Sequence, residues 1–188
     1  MESPGILIVA ATQTELCGQP GVVCGVGPVE AAAGTARALS STLPRAVLHV
    51  GLAGAQRSSG IEVGDLVVGS EAVYDDLVTS TPLAPVVVAG DPRLVGAAAR
   101  VLDVEPVRIG TSGRIGGVTS GCPVEAMEGF AVLRACQLAG VPAIEVRAIS
   151  NRVDDPRSDW RLGDGLEALQ GALPRLLEGV AAALRPGM

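Results

Sequence analysis

EAMEGFAVLRACQLAGVPAIEVRAISN, residues 125–151, reads as a short extended segment, a helix and a strand in succession. Val124 to Glu128 is brief and apolar, Gly129 to Ala139 has the composition of a buried helix, and Pro142 to Ile149 is rich in aliphatic residues. Strand and helix signals of this kind, repeated along a chain, define an α/β domain with helices packed on a largely parallel sheet. The same stretch also carries polar groups where chemistry is expected. In an open α/β sheet ligands bind beyond the carboxyl ends of strands. Met127 and Glu128 lie at one such end, and Arg147 and Asn151 at the other. A carboxylate, a guanidinium and an amide suit a sugar and a flat heterocycle.

The rest of the chain extends this pattern in both directions. Gly5 to Ala11 and Gly21 to Val26 are apolar runs that predict strands. Val29 to Leu43 is Ala-rich and predicts a helix with Pro28 near its first turn. Arg45 to Val50 predicts a strand that gives way to a small-residue turn at Gly51–Ala55. Val63 to Val73 predicts a long strand and Pro82 to Ala89 a further one. Asp91 to Leu102 predicts a helix capped by Asp91, with Pro92 in the first turn. Val104 to Gly110 predicts a strand, and Thr111 to Cys122 a Gly, Ser and Thr-rich loop. Asn151 to Trp160 reads as a charged loop, followed by a final helix from Arg161 to Leu184 that Pro174 could bend or split. No internal repeat or linker divides the chain, so one domain over residues 1–188 is expected.

Composition narrows the functional classes. The net charge of −6 argues against nucleic acid, whose backbone calls for excess basic residues. All 14 basic residues are Arg, which a codon bias in the source genome explains without function. Cys17, Cys24, Cys122 and Cys136 lack metal-ligand spacing, and with a single His they read as buried free thiols of a reducing compartment. No metal and no cofactor are expected. The start, Met-Glu-Ser-Pro, lacks the basic region of a signal peptide, and no apolar run approaches the ~20 residues of a membrane helix. The expectation is a soluble cytoplasmic protein that meets neither membrane nor nucleic acid.

Each candidate site residue also has a plain structural reading. Gly25-Val-Gly27 follows a strand and precedes a helix, but Glu30 occupies the third glycine position of a dinucleotide fingerprint. The turn can still offer backbone N–H groups to an oxygen-rich ligand, or be only a turn. Glu15 lies beyond the first strand, as a catalytic base or a solvated helix-start residue. Glu128 is placed to accept two vicinal ribose hydroxyls, or to cap the next helix. By two-residue periodicity residues 145, 147, 149 and 151 share a face, which would aim Arg147 and Asn151 into one cleft; alternatively Arg147 simply pairs with Glu145. Trp160 is a stacking or lid residue, or an anchor for the last helix.

Five stretches in order resemble the purine nucleoside phosphorylase and hydrolase superfamily, on its nucleosidase branch. They are Gly25-Val-Gly-Pro-Val-Glu-Ala-Ala-Ala33, Val50-Gly-Leu-Ala-Gly-Ala55, Val63-Gly-Asp-Leu-Val-Val68 continuing to Tyr74-Asp-Asp76, Glu125-Ala-Met-Glu128 and Val146-Arg-Ala-Ile-Ser-Asn151. The resemblance implies a twisted mixed sheet flanked by helices, a small-molecule nucleoside substrate, and a homodimer or higher homo-oligomer. The likeness is greatest to members that hydrolyse futalosine to release hypoxanthine in menaquinone biosynthesis. Hydrolysis of methylthioadenosine and S-adenosylhomocysteine, or nucleoside binding without catalysis, are the alternatives. The implied catalytic residues are Glu15 on the attacking water, Arg147 beside it, and Asn151 on the base. Gly54, Met127, Glu128, Phe130 and Trp160 are the implied substrate-binding residues. Asn151 stands where adenosine nucleosidases carry Asp; its two N–H groups would meet N7 and O6 of a 6-oxopurine. Leu52 stands where many relatives have Ser, which weakens a phosphate site. The stretch 77–124 is short and without aromatics, which leaves Phe130 or Trp160 to complete the base pocket.

Overall fold

The computed structural model describes residues 5–78, 81 and 83–185. Among these residues there are eight strands: β1 (Ile6–Ala10), β2 (Val22–Val23), β3 (Ala46–Ala55), β4 (Leu66–Tyr74), β5 (Val87–Ala89), β6 (Val107–Thr111), β7 (Val124–Ala126) and β8 (Ala143–Arg152). Four α-helices accompany them: α1 (Pro28–Ser41), α2 (Pro92–Leu102), α3 (Gly129–Ala139) and α4 (Leu162–Ala183). Pro82, with which the predicted fifth strand began, lies outside the described residues, and β5 is confined to Val87–Ala89.

The sheet is mixed and mostly parallel, as expected. β1 pairs parallel with β2 and β3, β3 with β8, β4 with β6, and β6 with β7. β3 with β7, and β4 with β5 and β8, are antiparallel. The pairings close on themselves, running β3, β8, β4, β6, β7 and back to β3. Closure brings the carboxyl ends of β3 and β8 beside β7, whose chain leads into Met127 and Glu128.

Two departures from the sequence reading shape the site. First, Gly51–Ala55 is not a turn. It is the second half of β3, paired with β8 throughout. Its glycines mark close approach rather than a bend. A Cβ on Gly51 would lie 2.3 Å from Arg147 Nη1, and one on Gly54 would lie 3.0 Å from Asn151 Nδ2. Second, the register of β3 against β8 passes from Ala53↔Ile149 to Gly54↔Asn151. Ser150 is the extra residue of a bulge, and a bulge changes which face the following residues occupy. The two-residue periodicity that grouped Asn151 with Arg147 therefore fails at Ser150.

The helices cover both faces. α2 and α4 pack on a core of Ile8, Leu48, Val50, Leu94, Ile144, Leu169, Leu173 and Leu176. On the other face α1 and α3 bury Val9, Val47, Val132 and Leu133. Alternation along β3 therefore sends His49 and Gly51, like Val47, toward α3. Asp91 caps α2 as the sequence implies, accepting from the N–H groups of Arg93 (3.0 Å) and Leu94 (3.3 Å). α4 is continuous through Pro174, which sits on its exposed side, where water can satisfy the freed carbonyl. Three carboxylates fasten the loop 112–121. Asp75 accepts from Thr119 N and Ser120 N, Asp76 from Ser112 Oγ and Gly113 N, and Glu125 from Gly116 N and Val118 N, all within 2.9 Å. None of the helices is long and apolar enough to cross a membrane among the described residues. All four cysteines are free thiols.

Candidate active site

The carboxyl ends of β1, β3, β7 and β8 surround a cavity of about 610 Å³. Its wall contains Glu15, Gly54, Met127, Glu128, Asn151 and Trp160, six of the eight residues the sequence singled out. Arg147 and Phe130 are not in the wall.

Glu15 sits in a single 3-10 turn just after β1. Its Oε2 accepts from Thr12 N (3.0 Å) and Thr12 Oγ1 (2.7 Å), and its Oε1 from Leu52 N (2.9 Å). A solvated loop residue would not be held by three donors. The carboxylate is instead fixed at the cavity wall, almost fully buried.

Glu128 precedes α3, but its side chain does not cap that helix. Oε1 accepts from Gly27 N at 3.1 Å and Oε2 from Arg147 Nη2 at 3.3 Å. Within the Gly25-Val-Gly27 turn, Gly27 thus gives its N–H to Glu128. Both glycines have positive φ, 94° and 88°, which only glycine adopts readily. Each carboxylate oxygen retains lone-pair capacity toward the cavity.

Arg147 is fully buried beneath the cavity, so the expectation of a guanidinium in the cleft is corrected. Nε donates to Glu145 Oε1 at 2.8 Å, Nη2 to Glu128 and to His49 Nε2 at 2.6 Å, and Nη1 approaches Leu52 O at 3.4 Å. The pairing with Glu145, the plainer sequence reading, is present. Burial alone would lower the guanidinium pKa, but Glu145, Glu128 and Glu15 drive it well above its ordinary value, so it is permanently charged. Burial raises Glu145, against the opposing pull of Arg147. His49 Nδ1 lies 3.0 Å from Val9 O. A carbonyl only accepts, so Nδ1 carries the proton and Nε2 is free to accept from Arg147. Burial and the neighbouring guanidinium push the imidazole well below its usual pKa. His49 was not singled out from sequence. The available signal was a lone polar residue inside the aliphatic run of β3, two residues before Gly51.

Asn151 is buried at the end of β8. Its Nδ2 donates to Arg152 O at 2.8 Å and its Oδ1 accepts from Ser150 Oγ at 2.8 Å. The carbonyl fixes which end of the amide is nitrogen. One N–H is therefore already used, and only one remains for a base. The expectation that both would meet N7 and O6 is corrected. Phe130 stacks on Tyr74, with ring centroids 5.0 Å apart, and its N–H donates to Thr111 Oγ1; it supports the core behind the cavity. Trp160 does two things: Nε1 donates to Asp155 O at 3.2 Å, which anchors the loop before α4, and the ring lines the cavity under Arg157, 5.4 Å away. Cys24, next to the Gly25 turn, is raised to about 11 by burial and by Glu128, so its thiol is protonated and inert at neutral pH.

The cavity wall holds three carboxylates, Glu15, Glu125 and Glu128, and among the described residues only Arg157 as a basic group. Such a wall stabilises developing positive charge and repels a bound anion.

These features define a class. The phosphorylase superfamily matches residues 16–120, and the chain belongs to that superfamily. It is 33% identical over 181 residues to futalosine hydrolase of Streptomyces coelicolor, covering 82% of this chain and 77% of that protein. Futalosine hydrolase of Thermus thermophilus is also 33% identical, over 187 residues, covering 86% and 82%. The 5′-methylthioadenosine/S-adenosylhomocysteine nucleosidase of Actinobacillus succinogenes is 31% identical over 153 residues, covering 69% and 66%. Among solved structures, futalosine hydrolase of Helicobacter pylori superposes with a TM-score of 0.81 at 19% identity, over 94% of this chain and 98% of that one. A Streptococcus pyogenes S-adenosylhomocysteine nucleosidase superposes with a TM-score of 0.80 at 23% identity, over 95% and 98%. At those identities the superpositions speak for the fold.

Proposed function

We propose that this protein is a nucleosidase that hydrolyses the N-ribosidic bond of futalosine and releases hypoxanthine, a step of menaquinone biosynthesis. The observation that carries the proposal is the single cavity in which Glu15, Met127, Glu128 and Asn151 converge. N-ribosyl cleavage passes through an oxocarbenium-like state, with positive charge on the sugar and negative charge on the departing base. Glu128 accepts the two ribose hydroxyls, and those bonds strengthen as the sugar becomes cationic. Met127 packs against the sugar. Glu15, held by Thr12 and Leu52 N, orients the water that attacks the anomeric carbon and accepts its proton. The free N–H of Asn151 donates to N7 of the leaving base.

Three observations support hydrolysis of a 6-oxopurine nucleoside. Leu52 and three carboxylates in the wall disfavour phosphate as the nucleophile. Asn151 cannot supply a proton, and hypoxanthine departs as an anion more readily than adenine. The futalosine hydrolases match over a larger share of this chain than the methylthioadenosine nucleosidase does. The test is a panel of futalosine, aminodeoxyfutalosine, inosine and methylthioadenosine, with and without phosphate, with released base read by chromatography. Hypoxanthine from futalosine without phosphate is expected. Exclusive turnover of methylthioadenosine would make the adenine-releasing reading correct, and strict phosphate dependence would make the protein a phosphorylase.

A further inference from the structure

Arg147 does not make the contact its surroundings offer. Its Nε donates to Glu145 Oε1 at 2.8 Å, yet Glu145 Oε2 is fully buried and has no hydrogen-bond partner among the described residues. A guanidinium beside a carboxylate ordinarily engages both oxygens in two parallel bonds. Here Nη2, the group that would close that fork, turns to His49 Nε2 at 2.6 Å and Glu128 Oε2 at 3.3 Å. A buried carboxylate oxygen left without a donor is costly, so something holds Nη2 away from it.

We propose that His49 is a positioning residue: it draws the Arg147 guanidinium off Glu145 Oε2 and divides it between Glu145 and Glu128, so that Glu128 is held at the ribose position. The proposal rests on the nucleosidase reading for its catalytic consequence, though not for its geometry. β3 places His49 in register with Glu145 and Gly51 in register with Arg147. The absent side chain of Gly51 lets the guanidinium cross β3 toward α3. There His49 presents a lone pair, because Val9 O takes the Nδ1 proton. An aliphatic residue at position 49 would leave Nη2 without that acceptor. The guanidinium would then rotate onto both oxygens of Glu145, and Glu128 would keep only Gly27 N.

The chain has one histidine, so a protein labelled with nitrogen-15 histidine reports this imidazole alone. The wild type should show a proton on Nδ1, none on Nε2, and no titration from about pH 5 to 8. A proton on Nε2 would overturn the proposal. A crystal structure of His49→Leu should show Arg147 on both oxygens of Glu145; retention of the Nη2 bond to Glu128 would overturn it, whatever the activity. In turnover, His49→Leu should lower kcat/KM about tenfold or more, and His49→Gln, whose amide can both accept from Arg147 and donate to Val9 O, should restore most of it. The loss should vanish in a Glu128→Ala background, because both changes remove the same contact. An equal loss in both backgrounds would mean that His49 affects the fold and not Glu128. If the wild type hydrolyses no nucleoside, the functional reading fails, while the imidazole spectrum and the crystal structure still decide the proposal.

Discussion

Replacement of Glu128 separates a substrate-binding carboxylate from a structural one. In the folded protein it is 4% exposed and accepts from Gly27 N and Arg147 Nη2. Glu128→Ala removes both acceptors and leaves the buried cation with Glu145, His49 and the Leu52 carbonyl, at a cost of about 3 kcal/mol, the low end for a broken buried pair. Glu128→Gln keeps one oxygen and should cost roughly 1–2 kcal/mol. The catalytic effect is larger. Two hydroxyl bonds to a charged acceptor are worth about 1.5–3 kcal/mol each. At about 1.4 kcal/mol per tenfold in rate, Ala should lower kcat/KM by roughly 10²–10⁴ and Gln by roughly 10–100. The assay is hypoxanthine release from futalosine under kcat/KM conditions, with urea unfolding in parallel to confirm that each variant is folded. A folded Glu128→Gln protein with kcat/KM within about threefold of wild type would refute the role.

Three further substitutions test neighbouring parts of the account. Asn151→Asp sets a carboxylate oxygen against Arg152 O and removes the N–H left for N7, so kcat/KM at neutral pH should fall about tenfold or more. The fall should be similar for futalosine and aminodeoxyfutalosine, and a loss confined to one base would show that residue 151 reads the C6 substituent after all. Gly51→Ala puts a methyl group 2.3 Å from Arg147 Nη1 and 2.8 Å from Glu15 Oε1, neither of which has room to retreat. It should destabilise by about 1–3 kcal/mol and lower turnover, whereas an unchanged urea midpoint would show that the guanidinium does not lie over Gly51. His49 is held neutral in the folded state but takes up a proton in the unfolded chain below its ordinary pKa of 6.5. The unfolded state then binds more protons, so stability should fall with pH below that value, by up to about 1.4 kcal/mol per unit. Glu145, raised by folding, acts in the opposite sense, with its contribution lost as pH rises above 4.5. The comparison of wild type with His49→Gln isolates the His49 part: the variant should lose less stability between about pH 6.5 and 5, and identical slopes would contradict it.

Much of the architecture was legible because local signals and tertiary packing agree. α3 begins and ends where its apolar run does, and Asp91 with Pro92 marks the start of α2. The errors fall where a residue serves a distant contact. Gly51 and Gly54 look like a turn, yet they are strand residues whose missing side chains admit Arg147 and Asn151 from β8. Arg147 and Asn151 appeared to share a face, because the Ser150 bulge follows from strand pairing and leaves no local trace. Glu15 and Glu128 were identifiable as carboxylates at strand ends, but their holders, Thr12, Leu52 N, Gly27 N and Arg147, come from separate segments. His49 was passed over because a single polar residue in an apolar strand has no periodic signature.

The central claim is that water, not phosphate, attacks the sugar in this cavity. It is tested most directly by turnover of futalosine in oxygen-18-labelled water with inorganic phosphate present. The account predicts release of hypoxanthine and a free sugar product carrying one labelled oxygen at its anomeric carbon. A sugar phosphate without the label, or no release of hypoxanthine, would contradict it.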